Sequence, residues 1–403
     1  MNDELQRRLA FLGSLVQSDL SGTRAPCKIC RSQAPFLDAT DFQKCTSGHP
    51  FGLSGVEVRW YRCNECGFLF TPFFDNWTHR DFTRFVYNED YGRVDPDYAR
   101  HRPISIAELL AGRLRGHEDL RVLDYGSGTG LTAKRMAELG FSNVENYDPF
   151  SSPAAPAGKF DLITCFEVIE HSPDPVGIIA DMTARLTERG GCIILGESLQ
   201  PPDIGHLRAA WWYCAPRNGH CSTFTGETLS ILARRFGLVF HDGGNIHCMR
   251  LGADARYRDI ADRFGEALIS ATIGSPDKGN VDGWHAREGD FRWTAMSRLT
   301  WTVRLPNPDG GPANVRVHVP VVMEIRPGFA AECGVRIGGV SAAVTQRGVA
   351  LYAEAAGVEF RDDLEIVLTT PPHCSPAELR GAPDSRPLGL AIRCGATPGN
   401  SPD

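Results

Sequence analysis

The sequence predicts an α/β fold for the central part of the chain, with a cysteine-rich module before it and a β-rich region after it. The first observation is "RVLDYGSGTG" at residues 121–130, where an apolar strand pattern runs into a glycine-rich turn. The second is a pair of Cys-x-x-Cys motifs near the N-terminus. The third is a series of short alternating stretches from about residue 297, separated by Gly, Pro and Asp. A chain of 403 residues has room for two or three such domains.

Composition and charge argue against several kinds of partner. The formal net charge of −7 gives no general attraction to nucleic acid or to an anionic membrane surface. No apolar run approaches the length of a membrane span. Residues 1–25 predict an amphipathic helix whose mixed charges differ from those of a secretory signal peptide. We therefore expect a cytoplasmic protein without a membrane span, for which charge disfavours nucleic acid as a partner, and the sequence leaves its oligomeric state open.

The cysteine-rich module spans residues 26–76. It contains two Cys-x-x-Cys pairs: Cys27 with Cys30, and Cys63 with Cys66. In a reducing compartment such paired spacings favour metal over disulfides, and four thiolates complete a tetrahedral Zn²⁺ site. Cys45 and His49 lie between the pairs and could replace one thiolate. Because a four-thiolate site has no open position, we expect the zinc to stabilise a zinc-ribbon-like module rather than to catalyse.

The glycine-rich turn is followed by a helix and by a second strand that ends in Asp148. Glycines let a ligand approach the backbone, and an acid at the next strand end accepts hydrogen bonds from ribose hydroxyls. The dinucleotide-binding pattern needs Gly or Ala where Leu131 stands, and Asp124 would repel a phosphate. Asp124 suits a cationic ligand better, such as an amino or sulfonium group.

At these positions the sequence resembles the class I S-adenosylmethionine-dependent methyltransferases, over residues 118–253. The segment "FDLITCFEVIEHSPDP", residues 160–175, is similar to their fourth strand and the loop after it. The resemblance implies a Rossmann-like fold and binding of S-adenosylmethionine (SAM). It implies these cofactor-binding residues: Asp124, Gly126, Ser127, Gly128, Gly130, Asp148, Pro149, Phe166 and Glu167. Only 11 residues separate Asp148 from Phe160, so the family's third strand is nearly absent and the adenine contact stays unassigned.

A zinc module joined to a methyltransferase domain resembles the sugar methyltransferases, which carry a histidine stretch similar to "GHCSTF". This resemblance implies that His220 is the general base, whereas the alternative is a histidine hydrogen-bonded within a loop. We expect His171 to position groups in the cleft. The helical bridge at residues 77–117 is rich in tyrosine, and Tyr91 is our third catalytic candidate; these tyrosines either pack the bridge or line the cleft.

The sequence therefore predicts methyl transfer from SAM to a sugar, either a nucleotide-sugar or a glycan. The alternatives are a methyltransferase acting on another natural product or on RNA, and a SAM-binding protein without activity. Whether the acceptor atom is carbon, oxygen or nitrogen stays open. After a helical connector at residues 254–296, we expect a β-sandwich at residues 297–403 that binds glycan or supports oligomerisation.

Overall fold

The computed structural model divides the chain into two compact units, Met1–Gly265 and Glu266–Asp403. It describes the following residues: 23–148, 150, 156–274, 283–305, 307, 311–347 and 350–394. The expected N-terminal helix falls almost entirely outside these ranges, and so does Pro149. No helix in the described part of the chain has the length and apolar character needed to cross a membrane.

The first unit contains both strands and helices. In chain order they are β1 (Arg24–Pro26), β2 (Gln33–Asp41), β3 (Glu57–Arg62), β4 (Leu69–Phe70), α1 (His79–Phe85), α2 (Tyr91–Val94), α3 (His101–Arg113), β5 (Val122–Tyr125), α4 (Leu131–Glu138), β6 (Val144–Tyr147), β7 (Leu162–Phe166), α5 (Pro175–Arg185), β8 (Gly191–Gly196), α6 (Ile204–Leu207), β9 (Ser222–Thr223), α7 (Gly226–Arg235), β10 (Leu238–Asp242), β11 (Ile246–Leu251) and α8 (Ala255–Asp262).

The central sheet of this unit has the strand order β10–β11–β8–β7–β5–β6. Strands β6, β5, β7 and β8 pair in parallel, and β11 and β10 complete the sheet antiparallel. Every residue of β5 and β8 is buried, which is typical of parallel strands covered on both faces. Helices α3, α4 and α8 contribute to the core over these strands. The carboxyl ends of β5, β6, β7 and β8 therefore meet at one edge of the sheet, where α/β proteins bind ligands.

The sequence predicts that the segment between β6 and β7 is too short for the family's third strand. Its described residues form one isolated bridge, Phe160 with Leu186, and no strand.

The cysteine-rich module is built into the first unit through an antiparallel sheet with the order β1–β2–β3–β4–β9. Strand β9 lies far along the chain, yet Ser222 pairs with Phe70 and Thr223 with Leu69. Helix α7 begins directly after β9, and the Thr228 hydroxyl donates a hydrogen bond of 2.5 Å to the carbonyl of Cys66. The module and the central region thus share a sheet, so a boundary near residue 76 does not separate two independent folds.

The second unit is almost entirely β. Its elements are β12 (Glu266–Thr272), β13 (Phe291–Trp293), β14 (Arg298–Arg304), β15 (Pro312–Val319), β16 (Val321–Glu324), β17 (Gly334–Ile337), β18 (Val340–Ser341), β19 (Ala343–Arg347), β20 (Ala350–Glu359), β21 (Asp363–Thr369), α9 (Pro376–Arg380) and β22 (Leu390–Arg393). They form strand sets β12–β15–β20–β19, β13–β22–β16 and β14–β21–β17–β18 around one hydrophobic core. The β character expected from residue 297 is present, and the sandwich arrangement remains a prediction.

Among the described residues of the connector expected at residues 254–296, only those at its start are helical. Helix α8 ends at Asp262, and β12 begins at Glu266. The residues Glu266–Ile269, which we expect from the sequence to continue the helix, instead belong to β12, and β12 pairs in parallel with β15 from Leu268 opposite Asn314. The physical reason is that a short apolar run suits either a helix or a buried strand, and here the strand partner decides.

Candidate functional site

The glycine-rich turn lies between the carboxyl end of β5 and the start of α4. Gly126, Gly128 and Gly130 have φ angles of +75°, +52° and +72°, in the left-handed region that glycine adopts without strain. A Cβ atom at Gly126 would lie 2.3 Å from Cγ2 of Val168, whereas one at Gly128 would meet open space. The turn therefore leaves bare backbone facing a free volume above Gly128.

Asp124, the last but one residue of β5, lies beneath this turn and is 4 % exposed. Its Oδ1 accepts a hydrogen bond of 2.9 Å from the Thr164 hydroxyl on β7. Its Oδ2 is buried without a hydrogen-bond partner among the described residues. Burial raises the pKa of Asp124 to about 6, with a lowering by the hydrogen bond from Thr164 and a smaller raising by the charge of Asp148. A cation or a donor group reaching Oδ2 would satisfy this carboxylate.

Asp148 follows β6 and connects that strand end to the turn. Its Oδ2 accepts from the Gly128 N–H at 2.9 Å, and its Oδ1 accepts from the Phe150 N–H at 2.7 Å. The Gly126 and Ser127 N–H groups also donate, to the carbonyl of Tyr147. A carboxylate has about four lone-pair sites and can accept several hydrogen bonds at once. The predicted acids and glycines thus lie together.

Phe166 and Glu167, at the end of β7, point to different surroundings. The Phe166 ring covers Gly196 of β8, since a Cβ there would lie 2.1 Å from Cδ1 of Phe166. Glu167 has a φ of +54°, which costs a residue with a side chain about 1 kcal/mol. Burial raises its pKa to about 7, against a lowering by Arg102. A cofactor role for either residue remains a prediction.

Glu167 belongs to a group that we call the acid–histidine cluster. One ligand atom of each member lies within 4.8 Å of the others, and the members are Glu167, Glu170, His171 and His220. Glu170 and His171 lie in a 3₁₀ turn after β7, and His220 lies in the loop before β9. The two imidazole rings meet edge to face with centroids 4.7 Å apart. Glu170 and His220 are 0 % and 2 % exposed.

Hydrogen bonds fix the orientation of the cluster. His220 Nδ1 lies 2.7 Å from the carbonyl oxygen of Tyr213. Because a carbonyl only accepts, Nδ1 carries the proton, and Nε2 of the neutral ring keeps its lone pair. The Tyr213 hydroxyl donates to Glu170 Oε1 at 2.7 Å, and His171 Nδ1 pairs with the Tyr87 hydroxyl at 3.2 Å.

Burial shifts the pKa values of the side chains in the cluster. Burial lowers the pKa of His220 to about 4 and the pKa of His171 well below its usual value. Burial, with the charge of Glu167, raises the pKa of Glu170 to about 8. Glu197, just after β8, is 3 % exposed, and neither of its carboxylate oxygens has a partner in the described part of the structure. Burial and then the charge of Glu170 raise its pKa well above the ordinary range.

Tyr91 packs against the loop that carries His220. Its hydroxyl donates to the carbonyl of Asn218 at 3.3 Å, and its ring meets that of Tyr87 at 5.1 Å. Tyr91 is 7 % exposed. The tyrosine-rich bridge therefore forms one wall of the cluster, and a catalytic role for Tyr91 stays a prediction.

Glu170, Glu197 and Arg102 are not among the residues predicted from the sequence. The spacing Glu-x-x-Glu-His at residues 167–171 was a signal for the first, because it places three ligand-type side chains on one turn. Arg102 forms a two-pronged ion pair with Asp95, with N–O distances of 2.7 and 2.9 Å. No sequence pattern marks the proximity of Arg102 or Glu197 to the cluster.

The four predicted zinc ligands form a second, separate centre in β-turns of the first sheet. The Sγ atoms of Cys27 and Cys66 lie 3.5 Å apart, and those of Cys30 and Cys63 lie 3.4 Å apart. A tetrahedral Zn²⁺ with Zn–S bonds of about 2.3 Å needs sulfur separations of about 3.8 Å. Cys45 and His49, the alternative ligands, are outside this group. The donor set therefore fits a structural zinc.

Residues 98–241 match the family model described as a methyltransferase domain. Together with the parallel sheet and the glycine-rich turn, this match confirms the class I methyltransferase fold for the central part of the chain. Strands β5 to β9 and helices α3 to α7 all lie within this segment.

Curated proteins that are similar to this chain are named as O-methyltransferases. A ubiquinone biosynthesis O-methyltransferase of Pseudomonas aeruginosa (strain UCBPP-PA14) is 32% identical over 108 residues, which cover 20% of this chain and 46% of the relative. A protein of that name from Colwellia psychrerythraea is 29% identical over 179 residues, covering 36% and 72%. The chain spans about half the length of the first of these relatives.

Solved structures show weaker likeness. An O-methyltransferase family protein from Burkholderia thailandensis is 11% identical with a TM-score of 0.33, covering 44% of this chain and 64% of that one. The magnesium protoporphyrin IX methyltransferase of Synechocystis PCC 6803, with bound S-adenosylhomocysteine (SAH), is 14% identical with a TM-score of 0.28, covering 44% and 95%.

Proposed function

We propose that this protein is a SAM-dependent methyltransferase acting on a small-molecule acceptor. The observation that carries the proposal is the placement of the open glycine turn, Asp124 and Asp148 at the same sheet edge as the buried acid–histidine cluster. SAM would supply an activated methyl group on its sulfonium. The protein then has to bind this donor, align the acceptor with it and remove one proton.

Each part of the site has a task in this scheme. The open volume over Gly128 admits the cofactor to the backbone, and Asp148 accepts hydrogen bonds from its ribose. The unpartnered Oδ2 of Asp124 offers an acceptor to a cationic or N–H donor group. The cluster receives the proton of the acceptor, and the lone pair on Nε2 of His220 is the base that we propose for this step.

A sugar is the first acceptor that we propose, on the sequence resemblance of "GHCSTF" and the zinc module to sugar methyltransferases. The second is a phenolic hydroxyl, because the curated relatives are named for ubiquinone biosynthesis. The four cysteines would hold a structural Zn²⁺ beside this site, without a position for substrate.

Calorimetric titration with SAM and SAH tests the cofactor half of the proposal. We expect one site per chain, and its absence would overturn the methyltransferase assignment. Mass spectrometry of reactions containing nucleotide-sugars, in parallel with reactions containing polyhydroxylated phenols, tests the acceptor. Gain of one methyl in the first set supports the sugar proposal, and gain only in the second set replaces it with the phenol.

A further inference from the structure

We propose that the acid–histidine cluster binds a divalent first-row transition cation, and that this cation holds the acceptor oxygen during methyl transfer. The inference rests on the proposed function, because it names a metal at the same site. It is distinct from the four-cysteine centre, whose ligands are all thiolates.

The geometry of the four donors is close to that of a metal site. Their ligand atoms lie within 4.8 Å of one another. Atoms bound at 2.0–2.2 Å to a common ion are at most about 4.4 Å apart, so shifts of a few tenths of an ångström complete the site. Four protein ligands leave open positions on an ion that prefers six, and an acceptor oxygen can occupy one of them.

The histidines are already arranged as metal ligands are. A metal-bound imidazole normally uses its other nitrogen in a hydrogen bond that fixes the ring. His220 Nδ1 donates to the Tyr213 carbonyl, and His171 Nδ1 pairs with the Tyr87 hydroxyl. In both rings Nε2 is the remaining nitrogen, and His171 Nε2 lies 3.8 Å from Glu170 Oε1.

Buried carboxylate oxygens of Glu170 and Glu197 have no hydrogen-bond partner in the described structure. Glu170 is completely buried, and its Oε2 has no hydrogen-bond partner in the described structure. Glu197 lies close enough for its charge to act on the same groups, and both its oxygens are also without partners. Arg102 supplies one positive charge nearby, and Asp95 already binds it. Buried carboxylates without partners are costly, and a divalent cation would offset that cost.

The donor types indicate which ions fit. Two carboxylates and two imidazoles, without a thiolate, suit Mn²⁺, Fe²⁺ or Co²⁺ better than an all-oxygen ion such as Ca²⁺. On such an ion an acceptor hydroxyl is polarised and gives up its proton more readily. The oxygen then attacks the methyl carbon as the carbon–sulfur bond of the sulfonium breaks, leaving a neutral thioether and a methyl ether. With the cation bound, His220 acts as a ligand in place of the general-base role that the proposed function gives it, and the proton leaves to water.

Electron paramagnetic resonance with Mn²⁺ tests the site without measuring activity. The full-length protein is first loaded with zinc at the cysteine centre and then titrated with Mn²⁺ in the presence of SAH. We expect loss of the free-Mn²⁺ signal at one equivalent per chain, and nitrogen modulation from imidazole in the bound spectrum.

Variants identify the ligands. Glu170→Gln keeps the size and the acceptor for Tyr213 and should raise the Kd for Mn²⁺ at least tenfold, as should His220→Asn. The matched control is Glu89→Gln, an exposed carboxylate outside the cluster, which should leave the Kd unchanged. A thermal melt of every variant shows that each one is folded, and SAM affinity is measured on each as well.

The outcomes separate this inference from the proposed function. Normal SAM binding with no Mn²⁺ site, or with equal Mn²⁺ affinity in Glu170→Gln, His220→Asn and the parent protein, overturns the inference alone. A Mn²⁺ site in a protein that does not bind SAM would uphold the inference that the cluster binds a cation and would overturn the methyltransferase proposal.

Discussion

At the scale of single residues, Asp124 makes stability depend on pH. Its pKa is about 6 in the folded chain because of burial, against an ordinary value of 3.8. The folded protein therefore holds a proton more tightly than the unfolded one, and stability falls as pH rises through this window. The difference between these two pKa values corresponds to a change of about 3 kcal/mol at most in the free energy of unfolding. Asp124→Asn should remove this contribution, so its stability relative to the parent protein should rise between pH 4 and pH 7.

Urea unfolding at four pH values within that window measures the effect. Thr164 still finds an acceptor in the Asn variant, so the fold should persist. A difference in unfolding free energy that stays constant across the series would show that Asp124 is ionised throughout.

Asp148 is the residue with the largest expected effect on cofactor affinity. Asp148→Ala removes the ribose acceptor and also frees the Gly128 N–H that its carboxylate holds. We expect SAM to bind at least tenfold more weakly, which is about 1.4 kcal/mol. Calorimetry measures the SAM affinity of this variant, and Asp203→Ala, which changes an exposed carboxylate, is the control. Unchanged affinity in Asp148→Ala would show that Asp148 does not bind SAM.

His220 separates binding from turnover. Its Nε2 faces the cluster, while Asp124 and Asp148, the two acids that we propose hold SAM, lie at the carboxyl ends of β5 and β6. His220→Ala should therefore keep its SAM affinity and lose turnover by about 10²–10⁴-fold, the usual range for proton-transfer groups. Normal turnover in this variant would leave His220 as a hydrogen-bonded loop residue only.

At the scale of secondary-structure elements, the glycine turn contains two different constraints. Gly126 has no room for a side chain because Val168 lies against it, whereas Gly128 has room and only needs a positive φ. We expect Gly126→Ala to reduce the melting temperature strongly. Gly128→Ala should cost about 1 kcal/mol in stability and should weaken SAM binding, because its methyl group enters the open volume. Thermal melts and calorimetry on the pair of variants distinguish the two positions.

The four-cysteine group connects secondary-structure elements that lie far apart in the chain. Hydrogen bonds from Thr228 and Gln200 reach the carbonyls of Cys66 and Gly67, and Gln200 also donates to the carbonyl of Thr223, so the four-cysteine group is tied to β9 and α7. Removal of zinc, or Cys63→Ser, should increase amide exchange in residues 222–235 as well as in residues 26–76. Cys374→Ser, in the other unit, is the control. Exchange confined to residues 26–76 would show that the module unfolds by itself.

At the scale of the whole molecule, local patterns were sufficient for some features and insufficient for others. Asp124, its glycines and the two Cys-x-x-Cys pairs were predictable because each group lies within a few residues of chain. The meeting of His220 with Glu167 and Glu170 was not, because about 50 residues separate them and only the loop before β9 brings them together. The strand at Glu266–Thr272 was missed because its parallel partner β15 lies beyond residue 310.

The pairing of β4 with β9 has a consequence for synthesis of the chain. A ribosome that has made Phe70 must add about 150 residues before Ser222 exists, which takes about 8 to 30 s at ordinary elongation rates. During that interval the four cysteines are already available to zinc, while the outer edge of β4 is exposed and has no neighbour. Exposed strand edges can pair with strands of other chains. We therefore expect nascent copies on neighbouring ribosomes to aggregate most readily at this stage. Slower elongation between codons 70 and 222 should therefore lower the soluble yield more than the same delay placed after codon 223.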